Sequence, residues 1–311
     1  MISYYKTTGG QMSEIAAAEK DCWISVDAPT QQEIAFLTDS LGIDAGFVRS
    51  SLDEEESSHI EKEENQTLII VDAPVAEQQE DENTVIFYTL PMGFVVMKDH
   101  IVTITSRSSP ILSDIAEGKA KGVNTAYKTH FLFAVMLRIA TRYIQYLRQI
   151  DKISVETEKR LHKSMKNQEL IQLLSLEKSL VYFTTSLKAT ETTLEKVLRG
   201  RIIKLYDEDE DLLEDTLVEI KQAIETANIY SGILSGTMDA FASIISNNLN
   251  IVMKVLTSIT IVMAIPNIIF GFYGMNVEGL PVPLAWFPII ITLVLGGVLA
   301  FLLYKKGYFS P

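Results

Sequence analysis

The stretch VLTSITIVMAIPNIIFGFYGMN, Val255 to Asn276, decides the fold. It runs nineteen residues without a charge to Tyr273 and then turns into Gly274-Met275-Asn276. After a short loop, Gly274 to Trp286, a second uncharged run of eighteen follows from Phe287 to Tyr304. A bilayer core takes roughly 20 apolar residues as a helix, so the chain is expected to end in two spans, 255–273 and 287–304, joined by the loop 274–286. The tip of this hairpin carries Gly-Met-Asn, and a short tail, 305–311, follows the second span.

The first span is sided. At helical spacing Met253, Thr257, Thr260, Ala264, Asn267, Gly271 and Gly274 share one face, which is small and polar, while the rest of the surface is apolar. Such a stripe either packs helices closely in lipid or lines an aqueous path. Asn267 in mid-span favours the path, because an amide facing hydrocarbon is costly, and Pro266 beside it frees a backbone carbonyl that water can pair.

Upstream, about 250 residues remain for a soluble part. Cys22–Val26, Thr67–Val71, Thr84–Tyr88, Gly93–Met97 and Ile101–Ile104 read as short strands. Thr30 with Glu33 forms a capping box opening a helix to Leu41, and Pro110 opens another to about Lys119. Residues 1–125 are therefore expected to form an α/β domain. From Leu132 the period becomes helical: Leu132, Met136, Ile139, Tyr143 and Leu147 mark one helix and Leu173, Leu180, Leu187 and Leu194 its return, giving a hairpin over 126–206. After the acidic run Asp207 to Asp211 a seam of Leu213, Leu217, Ile220, Ile224, Ala227, Ser231, Leu234, Met238, Phe241 and Ile245 runs to the first span as a stalk, 207–254. Unbroken to Tyr273, that helix is about 95 Å long at 1.5 Å per residue. The seam lacks a second copy in the chain, and two spans cannot enclose a pore, so both features call for a homo-oligomer. The expected fold class is an α+β membrane protein: an α/β domain, a long helical hairpin, and a very long helix continuing into the first of two C-terminal transmembrane helices.

Tyr273-Gly274-Met275-Asn276 in this position, with Asn250, Met253-Lys254-Val255-Leu256-Thr257 leading into the span and Lys305-Lys306 after the second, resembles the CorA-type divalent-cation transporter family. Trp23, Pro29-Thr30 and Glu33 also resemble the start of that family's cytoplasmic domain. The resemblance implies a pentamer that takes up Mg²⁺, and in some members Co²⁺ or Ni²⁺, with Mg²⁺ as substrate and regulatory ligand and no other cofactor. It implies that Gly274, Met275 and Asn276 select the ion, that Asn250, Met253 and Leu256 line the inner pore with the last two as an apolar gate, and that Lys254, Lys305 and Lys306 form a basic ring. It further matches Asp215 to a stalk acid holding regulatory Mg²⁺ between subunits; the acidic loop Glu80-Asp81-Glu82 is the partner chosen here. Glu278 either concentrates cations at the mouth or is simply solvated. Mg²⁺ keeps its waters, so a ring of Asn276 amides offering oxygens to the hydrated ion suits it better than bare carboxylates.

Charge and composition fit these expectations. The chain has 40 acids against 27 Lys and Arg, a net charge of −13, which argues against a nucleic-acid partner. Its one cysteine, Cys22, excludes an intrachain disulfide. The N-terminus lacks a signal-peptide core, and Lys305-Lys306 against a loop without Lys or Arg places both termini in the cytoplasm of a cell membrane. No phosphate-binding glycine loop, dinucleotide fingerprint or zinc spacing is present, and His59, His100, His130 and His162 are scattered, so an enzyme is not expected. A Zn²⁺ transporter of the same fold and a membrane-anchored structural or signalling protein are the alternatives.

Overall fold

The computed structural model describes residues 1–311 except 80–83, 120–121, 165–166, 201, 277–278, 280–281, 283, 285 and 309–311. Glu80, Asp81, Glu82 and Glu278 thus lie outside the described residues. The chain forms two compact units, Met1–Ser235 and Gly236–Pro311.

In the first unit the chain runs β1 (Ile2–Thr8), β2 (Gln11–Ile15), β3 (Cys22–Asp27), α1 (Gln31–Asp39), α2 (Ala45–Leu52), β4 (His59–Glu63), β5 (Gln66–Gln79), β6 (Thr84–Val96), β7 (His100–Thr105), α3 (Pro110–Ala116), α4 (Lys128–Ser164) and α5 (Asn167–Gly200). The seven strands make one mixed sheet in the order β2-β1-β3-β7-β6-β5-β4, with β3 and β7 parallel and every other pair antiparallel. Alternation along the strands sorts two cores. Cys22, Ile24, Val26, Leu68, Ile70, Val102 and Ile104 face Leu37 of α1 and Phe47 and Val48 of α2. On the other face Trp23 packs against Phe131 of α4, 5.2 Å between ring centroids, and donates its indole N–H to Thr103 Oγ1 at 2.9 Å. Tyr143 of α4 and Phe183 of α5 meet edge to face at 5.0 Å, which ties the helical hairpin together over the sheet. Each such buried aromatic contributes on the order of 1.5–3 kcal/mol.

Local signals start α1 as its sequence expects: the Glu33 amide donates to Thr30 Oγ1 at 3.3 Å and the Thr30 amide to Glu33 Oε2 at 2.8 Å. Other expectations change. Thr84–Tyr88 and Gly93–Val96 belong to one long strand, β6, which passes through Pro91 opposite Asp72 and ends before Met97. A proline with a nearby glycine reads as a break, yet the glycine has a packing reason: a Cβ on Gly93 would meet Ser51 Oγ of α2. Strands β1, β2 and β4 and helix α2 were not anticipated, and α3 stops at Ala116 instead of Lys119.

The seam requires a correction. Helix α6 runs Asp207–Tyr273, and Leu213, Leu217, Ile220, Ile224, Ala227 and Leu234 on it are already buried within this chain. Helix α5 supplies the partner: Lys221 Nζ lies 3.7 Å from Glu191 and 3.5 Å from Glu195, and Ser235 donates to Glu177 at 2.6 Å. As far as Leu234 the seam therefore demands no second chain, whereas Ile245 at its far end is 38% exposed. Apolar residues left open on this helix before Ser235 include Val218, Ile229 and Ile233, about 60% exposed, on a different face.

Asp72 on β5 is buried among hydroxyls, with its amide donating to Ser58 Oγ at 3.2 Å and the Tyr143 hydroxyl donating to its carbonyl at 2.9 Å. No cation pairs with it among the described residues. Burial raises its carboxyl above the usual range, against the lowering effect of hydrogen bonds from Ser186 and Ser58. Because the folded value is raised, the stability carried by the protonated form is complete below the unfolded value of about 3.9 and is lost as pH rises through the folded value. Asp72→Asn is therefore expected to raise the thermal midpoint at pH 7–8, with the gain shrinking towards pH 4. A pH-independent difference between the two proteins would show that the buried charge is not its cause.

Candidate functional site

The second unit contains the C-terminal part of α6 and helix α7 (Trp286–Lys305), both long and apolar enough to cross a membrane. Their ends are linked at two places. At one, Tyr273 meets Phe287 edge to face at 6.1 Å; at the other, Lys254 Nζ lies 5.6 Å from the centre of the Tyr308 ring. The two helices therefore run antiparallel. Tyr308 reaches Lys254 because the chain turns at Gly307, φ +72°, with the Tyr308 amide donating to the Leu303 carbonyl at 3.0 Å. This cation–π contact had no counterpart in the sequence reading, whose only signal for it is an aromatic residue just after two lysines.

Burial divides α6 into two faces. Val255, Ser258, Val262, Ile265, Ile269 and Tyr273 are buried or half-buried. At 100° per residue they lie about 175° round the helix from the small, polar stripe. Along that stripe Met253, Thr257, Thr260, Asn267, Gly271 and Gly274 are exposed and Ala264 is half-buried. Asn250 and Leu256, flanking it, are exposed as well. The side chains that the residue pattern grouped thus share one open face. The Thr260 hydroxyl donates to the Leu256 carbonyl at 2.8 Å, which satisfies its proton inside the helix and leaves its oxygen lone pairs outward. Helix α6 continues through Pro266, whose missing N–H leaves the Val262 carbonyl without its helical donor.

At the top the Gly274 amide donates to the Phe270 carbonyl at 2.8 Å and the Met275 amide to Phe272 at 3.4 Å, closing the helix. A Cβ on Gly274 would sit 3.0 Å from the same Phe270 oxygen. Tyr273 is half-buried against Phe287, whereas Met275 is 53% exposed and Asn276 is open, so within one chain both side chains are free to face a neighbour or an ion. Lys305 and Lys306 are exposed at the end where Lys254 meets the tail.

Residues 19–305 match the family of CorA-like Mg²⁺ transporter proteins. The chain belongs to this family. The cobalt/magnesium transport protein CorA of Methanocaldococcus jannaschii is 28% identical over 263 residues, covering 83% of this chain and 81% of that protein. The complete structure of the CorA magnesium transporter from the same organism aligns with a TM-score of 0.80 at 24% identity, over 100% of this chain and 98% of that one. The ZntB cytoplasmic domain from Vibrio parahaemolyticus aligns at a TM-score of 0.61 and 12% identity, over 80% of this chain and 97% of that one. These structural likenesses concern the CorA fold and leave the ion to be argued from the residues.

Asp215 stands exposed near the start of α6. Among the described residues no three His, Cys, Asp or Glu side chains gather as a metal site. Asp209, in the acidic run before it, is instead buried, accepting from the Tyr206 amide at 3.3 Å and facing His130 at 3.6 Å.

The two faces of α6 give a direct test in a Cys22→Ser background, where the native buried thiol is removed. Thiosulfonate labelling from water is expected at Thr260→Cys and Asn267→Cys and at least ten-fold slower at Val262→Cys and Ile265→Cys. Equal rates on both faces would contradict an aqueous stripe.

Proposed function

We propose that this chain is a channel-type transporter that takes up Mg²⁺, and also Co²⁺ or Ni²⁺, down the electrochemical gradient. The observation that carries the reading is the open polar stripe of α6, turned away from its half-buried face and ending at the exposed Asn276. Two spans per chain do not enclose a path, so the stripe acts in a homo-oligomer, taken as a pentamer from the family resemblance. The exposed Val218, Ile229 and Ile233 are apolar surface available to a neighbouring chain.

Each element of the path has a physical task. A ring of Asn276 amides receives the ion with its water shell, because Mg²⁺ dehydrates reluctantly. Thr260, Thr257 and Asn267 oxygens accompany the waters through the span. Met253 and Leu256, 52% and 55% exposed in one chain, close the inner end as an apolar constriction that empties of water. Lys254, Lys305 and Lys306 place that end, and both termini, in the cytoplasm by the positive-inside rule. A membrane potential supplies about 4.6 kcal/mol per 100 mV for a doubly charged ion, so inward flux needs no nucleotide.

Asp215 is the proposed regulatory ligand. Its side chain is exposed, and repetition around an oligomer brings carboxylates together that repel unless a cation bridges them. Cytoplasmic Mg²⁺ there holds the stalks closed, and its loss releases the constriction on the same helix.

Proteoliposome flux of Mg²⁺, Co²⁺, Ni²⁺ and Zn²⁺ tests the transport reading. Asn276→Ala is expected to cut Mg²⁺ flux at least ten-fold while the oligomer still assembles, and wild-type flux from it would remove Asn276 from the filter. Asp215→Lys supplies a tethered positive charge in place of the ion. It is expected to make limited proteolysis of the cytoplasmic part insensitive to millimolar Mg²⁺, whereas equal Mg²⁺ protection in variant and wild type would exclude Asp215 from sensing.

A further inference from the structure

A groove of about 410 Å³ lies between α3, α4 and the first turns of α6, within the Met1–Ser235 unit. Its size falls in the range of small-molecule sites, about 300–1,000 Å³. The floor is apolar, made by Ile111, Ala134, Leu137 and Leu212. Along one side, residues spaced by a helical turn on α4 bring His130, Arg138 and Arg142 to the same opening.

The charges in this groove are unevenly satisfied. Arg142 Nη2 donates to Asp114 Oδ2 at 3.1 Å, and Lys119 Nζ donates to Asp114 Oδ1 at 3.1 Å. Lys119, with Arg142, holds the Asp114 carboxyl below its usual range. That carboxylate is fully engaged. His130 faces Asp209, itself occupied by the Tyr206 amide. Arg138 has no carboxylate partner among the described residues and lies one turn from a second guanidinium, an arrangement of like charges that is unfavourable on its own. In a chain with 40 acids and only 27 Lys and Arg, an arginine lining a cavity whose acid, Asp114, is taken up by Arg142 and Lys119 is out of keeping with the surface as a whole.

We propose that this groove binds an organic phosphate with an apolar or aromatic body, of the size of a nucleoside phosphate. The planar guanidinium of Arg138 suits the bidentate geometry of a phosphate, and Arg142 nearby suits a group carrying more than one negative charge. The floor of Ile111, Ala134, Leu137 and Leu212 takes the body of the molecule, which inorganic phosphate lacks. A divalent cation is disfavoured by the same positive groups. An occupant touches α3, α4 and Leu212 at once, so it ties the start of α6 to the helical hairpin. This is an input separate from the cation path and from Asp215, and it does not depend on which ion is carried.

The test is calorimetric titration of the full chain in detergent with EDTA present, using ATP and, separately, inorganic phosphate. Saturable ATP binding at one per chain is expected, weakened at least ten-fold by Arg138→Ala and at least ten-fold by Ala134→Trp, which fills the floor. Inorganic phosphate is expected to bind at least ten-fold more weakly than ATP. The thermal midpoint of each ligand-free variant reports that it is folded, and Arg138→Gln serves in place of Arg138→Ala if the latter is not. No saturable heat at millimolar ATP, ATP affinity unchanged by both variants, or phosphate binding as tightly as ATP would each overturn the proposal.

Discussion

An amide or hydroxyl inside a bilayer must find a hydrogen-bonding partner, and lipid supplies none. Helix α6 meets this constraint by division. Its half-buried face is built from Val255, Val262, Ile265 and Ile269 with Tyr273 at the end and the hydroxyl of Ser258, which donates inward to the Lys254 carbonyl at 2.8 Å. Its open face keeps Thr257, Thr260 and Asn267 together. Polar groups segregated in this way are tolerable only where water or a neighbouring chain covers them, and that requirement carries the argument for an aqueous, oligomeric path. The links at the two ends, Tyr273 with Phe287 and Lys254 with Tyr308, belong to the same arrangement of α6 and α7.

The soluble part solves a different problem. A seven-stranded sheet has two faces to cover, and α1 with α2 takes one while α4 with α5 takes the other. Helix α5 then also covers the inward seam of α6. This is why a seam that reads as a coiled coil awaiting other chains is satisfied locally. A heptad-like pattern reports that a helix has a partner, and says nothing about whether that partner lies in the same chain.

What was legible followed the strength of local signals. Long uncharged runs, the Thr30–Glu33 capping box and the helical period of α4, α5 and α6 all act over a few turns and leave plain marks. Grouping Met253, Thr257, Thr260, Asn267 and Gly271 on one face needed only the helical period; these residues are exposed within one chain, as are Ile261, Met263 and Ile268 of the same span. The outer strands were not legible: β2 and β4 at the two edges, and β1 beside β2, carry mixed polar patterns because one side faces water, and β6 hid behind Pro91. The charges of the α3–α4 groove were invisible for a simpler reason, since Asp114, Arg138 and Leu212 are brought together only by the tertiary fold.

The central claim is that the α6 stripe conducts divalent cations passively in an assembly of several chains. Current through the purified protein in a planar bilayer, with Mg²⁺ as the only permeant cation and unequal on the two sides, tests it most directly. The account predicts a current that reverses at the Mg²⁺ equilibrium potential and does not move when a proton gradient is added. A reversal potential that follows the proton gradient, or an absence of current with the assembled oligomer at low cytoplasmic Mg²⁺, would contradict it.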